Sequence, residues 1–176
     1  MRGVDTCRVR PMVEDDIDRV LAWRNDEATR RNMLTQHIIS RDEHLDWFAR
    51  SSIDASRRLL IVEERDLALG FVQFADVADG GIANWGFYTA PGAAKGSGKK
   101  LGRTALEFGF TVLRLHKVCG QALQFNDASI GFHLHLGFRQ EGVLREQYRI
   151  GHSYHNLLCF GLLQRDWAME RAASNR

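Results

Sequence analysis

The residues with the clearest chemical potential form a glycine- and lysine-rich stretch, "PGAAKGSGKKLGRTALEFGF", at residues 91–110. A glycine costs about 0.5–1 kcal/mol relative to alanine in a regular element, so a cluster of them at a helix start indicates a ligand. A turn that leads from a strand into a helix gathers free N–H groups at the positive end of the helix dipole, where phosphate binds. We therefore expect a diphosphate cradle to which Lys95, Lys99 and Lys100 add positive charge. A flexible, solvated basic loop is the alternative.

Two established phosphate-binding motifs do not fit this stretch. The pattern G-x-x-x-x-G-K-[ST] fails because no Ser or Thr follows a Gly-Lys pair in register. The dinucleotide fingerprint G-x-G-x-x-G also fails, because "GSGKKLG" has one residue too many between its last two glycines. The surrounding pattern, with three strands in succession before the loop, also lacks the βαβ context of that fingerprint.

A second group of polar residues follows in "NDASIGFHLHLGF". Asn126, Ser129 and His133 are spaced i, i+3 and i+7, so they share one face of a helix. An imidazolium with an ordinary pKa near ~6.5 is a competent proton donor around neutral pH. His133 is therefore a candidate general acid, and the alternative is a solvated helix histidine. His135 must point elsewhere and is expected at the surface.

The elements that must position these residues can be assigned from hydrophobic periodicity. A helix is expected from about Leu101 to Leu113, and another is expected to begin with a capping box at Ser40 and Glu43. The expected strands are "CRVRPMV", "RRLLIVEE", "ALGFVQFADV", "IANWGFYTA", "HKVCGQAL", "FRQEGVLREQ" and "YHNLLCFGLLQ". The other expected helices are "EDDIDRVLAWRND", a short one in "ATRRNML", "SRDEHLDWFARS", "NDASIGFHLHLG" and "RDWAMERA". The order β-α-α-β-β-β-α-β-α-β-β-α predicts an α+β fold, a mixed sheet with helices on both faces.

Length and composition limit the class of protein. A chain of 176 residues is expected to form a single domain, 1–176, that is large enough to bury a core without staples. A formal net charge of +2 gives no reason to expect a nucleic-acid or membrane partner. The three cysteines are far apart, which favours neither a disulfide framework nor a metal site. With no apolar leader or membrane-length apolar run, a cytoplasmic location is expected.

The order of elements, with "NWGFYTAPGAAKGSGKKLGRTAL" followed by "NDASIGFHLHLGFRQEG", resembles the GNAT superfamily of acetyl-CoA-dependent N-acetyltransferases. The family's loop pattern is Q/R-x-x-G-x-G/A before a helix. The best register puts Ser97 and Lys100 at its first two fixed positions, where both depart from the pattern, and Gly102 at the last. The second match is more specific, because N-x-x-S-I-x-F-H-x-x-x-G-F is similar to the family's N-x-x-A-x-x-x-Y-x-x-x-G-F.

The resemblance implies a GNAT fold with a mostly antiparallel sheet, acetyl-CoA as co-substrate and no metal. In that fold the strand "NWGFYTA" splays from its neighbour and binds the pantetheine arm as an added strand would, whereas the plain alternative is an ordinary central strand. Gly86 is consistent with a bulge or a close backbone approach. The expected cofactor contacts are Phe87, Tyr88, Thr89, Lys95, Gly96, Ser97, Gly98, Lys99, Lys100, Leu101, Gly102, Arg103, Asn126 and Ser129. His133 stands where many relatives carry the tyrosine that protonates the CoA thiolate.

A closer resemblance rests on "LAWRNDEATRRNML", "HIISRDEHLDWF", "KGSGKKLG", "LHKVCGQAL" and "GFRQEGVLREQ", which look like the sugar-nucleotide N-acetyltransferases of pseudaminic acid biosynthesis. It implies direct acetyl transfer to the 4-amino group of a UDP-linked 4-amino-4,6-dideoxy sugar. A GNAT enzyme for a protein N-terminus or a small amine is one alternative, and a non-catalytic acyl-CoA-binding sensor is another.

The same resemblance places the acceptor beside the segments "WRN" and "ISRDEHL". Arg24 suits a phosphate because a guanidinium gives bidentate contact, and His44 is a candidate for both substrate binding and catalysis. Gln73 and Asn84 are expected to offer polar groups to the sugar, although alternation alone does not decide which face of the sheet they occupy. Exposed helix positions are the alternative for Arg24 and His44. A homodimer is left open.

Overall fold

A mixed sheet of seven strands, in the order β1-β2-β3-β4-β5-β7-β6, forms the centre of the computed structural model, which describes residues 7–77 and 81–174. All neighbouring strands are antiparallel except β4 and β5. The strands are β1 (Cys7–Pro11), β2 (Arg58–Glu64), β3 (Leu67–Ala75), β4 (Ile82–Thr89), β5 (Lys117–Leu123), β6 (Arg139–Ile150) and β7 (Ser153–Leu163). This sheet confirms the predicted α+β fold, while the predicted domain bounds, 1–176, extend beyond the described residues.

The helices are α1 (Ile17–Asn25), α2 (Glu27–Arg30), α3 (Arg41–Ile53), α4 (Ser97–Thr111), α5 (Asp127–His135) and α6 (Gln164–Ser174). Three of the described helices, α2, α3 and α5, begin where a side chain accepts a hydrogen bond from a free N–H group of the first turn. The Ser40 hydroxyl accepts a hydrogen bond from the Glu43 amide at 3.2 Å, and Asn126 Oδ1 accepts one from the Ser129 amide at 3.0 Å.

Helix α4 begins at Ser97, one turn earlier than the expected start near Leu101. Gly96 has a φ of 93°, a left-handed conformation that glycine adopts without strain, and the chain becomes helical directly after it. The low helix propensity of Gly98 suggested a loop, but the tertiary packing of α4 overrides it. Gly98 is therefore a helical residue rather than a loop residue, and Gly102 is helical as expected.

The strands alternate between two cores, one on each face of the sheet. One face buries Leu60, Val62 and Val72 under α4, α5 and α6, and the opposite face buries Ile61 and Phe71 under α1 and α3. Because side chains alternate along a strand, each β residue can be assigned to one face. The first is called here the α4 face and the second the α1 face.

The pairing between β4 and β5 is short. It joins Ile82, Ala83 and Asn84 to residues 117–119, and from Trp85 to Thr89 strand β4 pairs only with β3. The two strands therefore diverge and leave an opening in the middle of the sheet, which confirms the splayed strand predicted for "NWGFYTA". Gly86 pairs in register with Gln73, so β4 contains no bulge there.

A buried carboxylate ties the start of α1 to the sheet. Asp16 is 1% exposed and accepts hydrogen bonds from Arg10 at 2.6 and 2.9 Å, from the Val13 amide at 3.0 Å, and from Arg19. Arg10 also binds Glu63 of β2 at 2.7 Å. Although burial alone would raise the pKa of Asp16, these donors hold it well below its usual range.

Among the described residues, no helix is both long and apolar enough to cross a membrane. Over the same ranges, 7–77 and 81–174, no group of three or more His, Cys, Asp or Glu side chains could hold a metal ion.

Candidate active site

A cleft of about 580 Å³ passes through the opening between β4 and β5. At one end it reaches Gly98 in the first turn of α4, and at the other it reaches Arg24 and Thr35 on the α1 face. Its middle is walled by β4, β5 and α5, with Phe87, Ala122 and Phe132 among the residues that line it. One continuous channel therefore joins the two faces of the sheet.

The open edge of β4 offers main-chain groups to an extended ligand. The Ala90 amide donates to the Leu69 carbonyl of β3 at 2.8 Å, so alternation turns the main-chain groups of Phe87 and Thr89 the other way, toward β5. Within residues 7–77 and 81–174, no strand pairs with them on that side. They can bind an amide-containing chain in the manner of an added β-strand.

The first turn of α4 retains N–H groups for an anion. The Ser97 amide donates to the Ala94 carbonyl at 3.0 Å and the Lys100 amide donates to the Gly96 carbonyl at 3.2 Å. The amides of Gly98 and Lys99 are left as first-turn donors without an intrahelical acceptor. A Cβ on Gly98 would lie 3.7 Å from Thr89 Cγ2, an ordinary contact, so this position is open.

The predicted lysines differ in their surroundings. Lys95 and Lys99 are exposed beside the helix start, where they can reach an anion. Lys100 Nζ instead lies 2.5 Å from Glu64 Oε1, and this ion pair raises the pKa of Lys100. Lys100 therefore faces β2, and its expected contact with a diphosphate is not supported by this arrangement.

Two other predicted cofactor contacts lie in the core. Leu101 is fully buried under the sheet. Gly102 faces α5, where a Cβ would lie 2.6 Å from Phe132 Cζ and 2.7 Å from Leu136 Cδ1. Gly102 is thus required by the close approach of α4 and α5. Of the predicted cofactor contacts, those that line the cleft are Phe87, Tyr88, Thr89, Gly98, Asn126 and Ser129; Lys95, Gly96, Ser97, Lys99, Lys100, Leu101, Gly102 and Arg103 do not.

His133 is 1% exposed, and both of its ring nitrogens are occupied. Nδ1 donates to the Ser129 carbonyl at 2.7 Å, and Nε2 accepts from Trp85 Nε1 at 3.1 Å. The ring also stacks on Phe160 with a centroid distance of 4.8 Å, and burial lowers the pKa of His133. A neutral ring with no free N–H cannot donate a proton to a thiolate, so this geometry speaks against the predicted general acid.

The other predicted residues of α5 and β4 have local roles as well as positions at the cleft. Asn126 caps α5, and the Ser129 carbonyl holds the His133 ring. The Tyr88 ring lies on the α1 face, 5.2 Å from the Phe71 ring, and burial raises the pKa of the Tyr88 hydroxyl. Tyr88 therefore contributes its side chain to the acceptor side of the sheet rather than to the cofactor side.

The predicted acceptor residues meet at a smaller cavity of about 210 Å³ on the α1 face, which is lined by Arg24, His44 and Gln73. His44 is 3% exposed, and its ring stacks on Trp47 with a centroid distance of 4.9 Å. Asn84 lines the larger cleft, but its amide nitrogen donates to Asp76 Oδ2 at 2.8 Å. The structure thus brings three of the four predicted residues together and gives Asn84 a partner on the sheet.

A loop between α2 and α3, at residues 31–40, closes this cavity and was not singled out from the sequence. Asn25 holds it with two hydrogen bonds to the main chain of Ile39, at 2.8 and 2.9 Å. Arg24 Nη2 donates to the Thr35 carbonyl at 2.7 Å. In the sequence, the polar pair Arg24–Asn25 at the end of an amphipathic helix was the one feature that could have predicted a loop bound at this position.

The comparison with family models decides the class of this site. Residues 7–139 match the model of the acetyltransferase (GNAT) domain. The chain belongs to the GNAT acetyltransferase family. GNAT enzymes use acetyl-CoA, so the chain is an acetyl-CoA-dependent N-acetyltransferase and the expected fold and co-substrate are confirmed. The non-catalytic sensor considered above is set aside.

Three similar proteins align with most of this chain. An uncharacterized N-acetyltransferase, YokL, of Bacillus subtilis is 28% identical over 82% of this chain and 83% of its own length. The spermidine N(1)-acetyltransferase of Escherichia coli K12 is 24% identical over 97% of this chain and 92% of its own. A spermidine N-acetyltransferase of Vibrio cholerae, solved with CoA and spermine, superposes with a TM-score of 0.85 at 22% identity, covering 94% of this chain and 99% of that one.

These relatives do not support the closer resemblance drawn from the sequence. None of the three is named as a pseudaminic acid pathway enzyme, and two are named for their action on spermidine. The nucleotide-sugar acceptor is therefore unsupported, and the small-amine alternative agrees better with the comparisons. In one of the motifs behind that resemblance, "WRN", Arg24 and Asn25 bind the main chain of the α2–α3 loop.

Proposed function

We propose that this GNAT enzyme transfers the acetyl group directly from acetyl-CoA to the primary amine of a small molecule. The observation that carries the proposal is the continuous cleft through the opening between β4 and β5. Its two ends match the two substrates, because free amides of α4 suit a diphosphate and the enclosed cavity on the α1 face suits a compact acceptor.

The two halves of the cleft would bind different substrates. On the α4 side, Gly98, Lys99 and Lys95 would hold the diphosphate, and the open edge at Phe87 and Thr89 would hold the pantetheine arm. The thioester would then lie in the opening between the strands, where an amine that enters from the α1 face can reach its carbonyl. Such positioning contributes a large share of the rate in a bimolecular transfer.

The polyamine substrates of the two spermidine acetyltransferases are not part of this proposal for the present chain. A polyamine presents several ammonium groups, which carboxylates would have to hold. Among the described residues that line the two cavities, Glu43 has the only carboxylate, and its oxygens lie 3.0 and 3.1 Å from His37 Nε2. We therefore propose a small amine of a different charge pattern. The cytoplasmic location expected from the sequence stays a prediction.

An acceptor panel tests this proposal. CoA release and product mass would be measured with acetyl-CoA and spermidine, simple monoamines, an amino sugar and a peptide with a free N-terminus. Acetylation of small amines, with the peptide unused, is the expected result. Turnover of the peptide with no small amine acetylated would overturn the proposal and favour a protein acceptor.

A further inference from the structure

The cavity of about 210 Å³ on the α1 face contains three buried polar atoms that have no hydrogen-bond partner among the described residues. They are Arg24 Nη1, His44 Nε2 and Gln73 Oε1. Buried polar groups in folded proteins are paired almost without exception, because an unpaired one costs about 1–3 kcal/mol. Three such atoms in one enclosed space indicate a ligand that supplies the missing partners.

The hydrogen-bonding capacity of each atom defines what the ligand must offer. Arg24 remains cationic and Nη1 can only donate, so it requires an acceptor, best an anionic oxygen. Burial lowers the pKa of His44 and favours its neutral ring, in which Nε2 can act as an acceptor. Gln73 Oε1 is an acceptor as well. The site thus matches one anionic group flanked by a hydrogen-bond donor such as a hydroxyl or an amine.

The charges around the cavity agree with an anion. Burial lowers the pKa of Arg24, and the neighbouring Arg30 lowers it further. No salt bridge to Arg24 is found among the described residues, and the carboxylate of Glu43 is bound by His37. Glu43 acts on the pKa of Arg24 in the opposite direction but forms no salt bridge with it, so the half-buried guanidinium has no directly paired counterion among the described residues.

We propose that Arg24, His44 and Gln73 form a subsite for an anionic oxygen group, a carboxylate or a phosphate, on the amine that this enzyme acetylates. This rests on the small-amine function proposed above and makes it more specific. The cavity adjoins the cleft, since Arg24, Gln73 and Tyr88 line both spaces. An acceptor held here by its anionic end would extend its amine toward the opening between β4 and β5.

The test compares matched acceptors that differ in the anionic group. The pairs are 4-aminobutyrate against 4-aminobutanamide for a carboxylate, and O-phosphoethanolamine against ethanolamine for a phosphate. Binding to the CoA-loaded enzyme would be measured by calorimetry, and acetylation by CoA release. We expect one anionic member to bind about tenfold or more tightly than its neutral partner, as a charge-assisted hydrogen bond allows.

Variants assign that preference to the subsite. Arg24→Gln should abolish it, and Arg24→Lys, which keeps the charge without the two-pronged geometry, should retain only part of it. Arg50→Gln removes an exposed charge from α3 and should leave the preference unchanged. If Arg24→Gln does not fold, the comparison of Arg24→Lys with the wild type carries the test.

The outcomes separate this proposal from the proposed function. Equal binding within both pairs, an unchanged preference in both Arg24 variants, or tighter binding of spermidine than of either anionic probe overturns the subsite. Anion binding that depends on Arg24, without acetylation of any amine, supports the subsite and overturns the small-amine function.

Discussion

Trp85 Nε1 donates a hydrogen bond of 3.1 Å to His133 Nε2 across the floor of the cleft, and this contact fixes the imidazole as neutral. Nδ1 donates to the Ser129 carbonyl within α5, so the Nε2 bond to Trp85 is the one that joins α5 to β4. The histidine that stands at the family's tyrosine position therefore serves as a bridge within the core. Its replacement tests that role.

His133→Phe fills the same space but leaves the Trp85 N–H and the Ser129 carbonyl without this partner. We expect the free energy of unfolding at pH 7 to fall by about 1–3 kcal/mol, the cost of unpaired buried polar groups. Because the folded pKa of His133 is lowered, its contribution is present above the unfolded pKa near ~6.5 and is lost as pH falls below it. Urea unfolding at pH 7 and pH 5 should thus show a smaller difference at pH 5.

The pH–rate profile of the same variant tests catalysis separately. If His133 is not the general acid, an alkaline limb of the wild type should persist unchanged in His133→Phe. Loss of that limb together with a drop in turnover of about 10²–10⁴-fold would instead support His133 as the general acid.

Gly98→Val and Gly102→Ala should affect different properties, CoA binding and stability respectively, although both glycines lie in α4. Gly98 has open space for a side chain near the free amides, so valine there should weaken CoA binding by about tenfold and preserve stability. Gly102→Ala forces a Cβ against Phe132 and Leu136 and should cost about 1–3 kcal/mol of stability. Calorimetry with CoA and thermal unfolding measure the two effects. If both variants lose the same property, the division of α4 into a binding turn and a packing turn is wrong.

Asn25→Ala should loosen the loop at residues 31–40 by removing its two hydrogen bonds to Ile39. That loop lines the acceptor cavity at Thr35. We therefore expect the KM for the acceptor to rise several-fold, which corresponds to the free energy of about one hydrogen bond. The KM for acetyl-CoA should be unchanged. Asn156→Ala, which removes a hydrogen bond from the Glu146 amide between β6 and β7 and lines neither cavity, is the matched control. A parallel rise of both constants in Asn25→Ala would contradict the role of the loop.

Asp16→Asn should destabilise the fold by about 3 kcal/mol, because it leaves Arg10 without its buried partner. The lowered pKa of Asp16 gives stability that is present above the unfolded pKa of ~3.9 and is lost as pH falls through and below it. Urea titrations at pH 7 and pH 3.5 should show the difference shrinking in acid. Asp18→Asn, which breaks an exposed pair with Arg41, should change the stability far less than Asp16→Asn does.

Apart from the splayed strand, which the resemblance to the GNAT superfamily implied, the sequence by itself determined the order of elements and the class of fold. Those features follow from local causes, since hydrophobic period, helix caps at Ser40 and Asn126, and turn residues act within a few positions of the chain. Spacing likewise predicted that one helix face carries Asn126, Ser129 and His133, and Ser129 and His133 are in contact along α5.

Only the tertiary structure decided what these residues contact. Spacing could not show that the exposed-looking ring of His133 enters the core beneath Trp85, that Gly102 is needed by α5, or that Lys100 turns to Glu64. It also could not place Arg24, His44 and Gln73 around one cavity, because they come from α1, α3 and β3. The reason is physical: local propensity is set by neighbours in sequence, whereas burial, pairing and pKa are set by neighbours in space that arrive from distant segments.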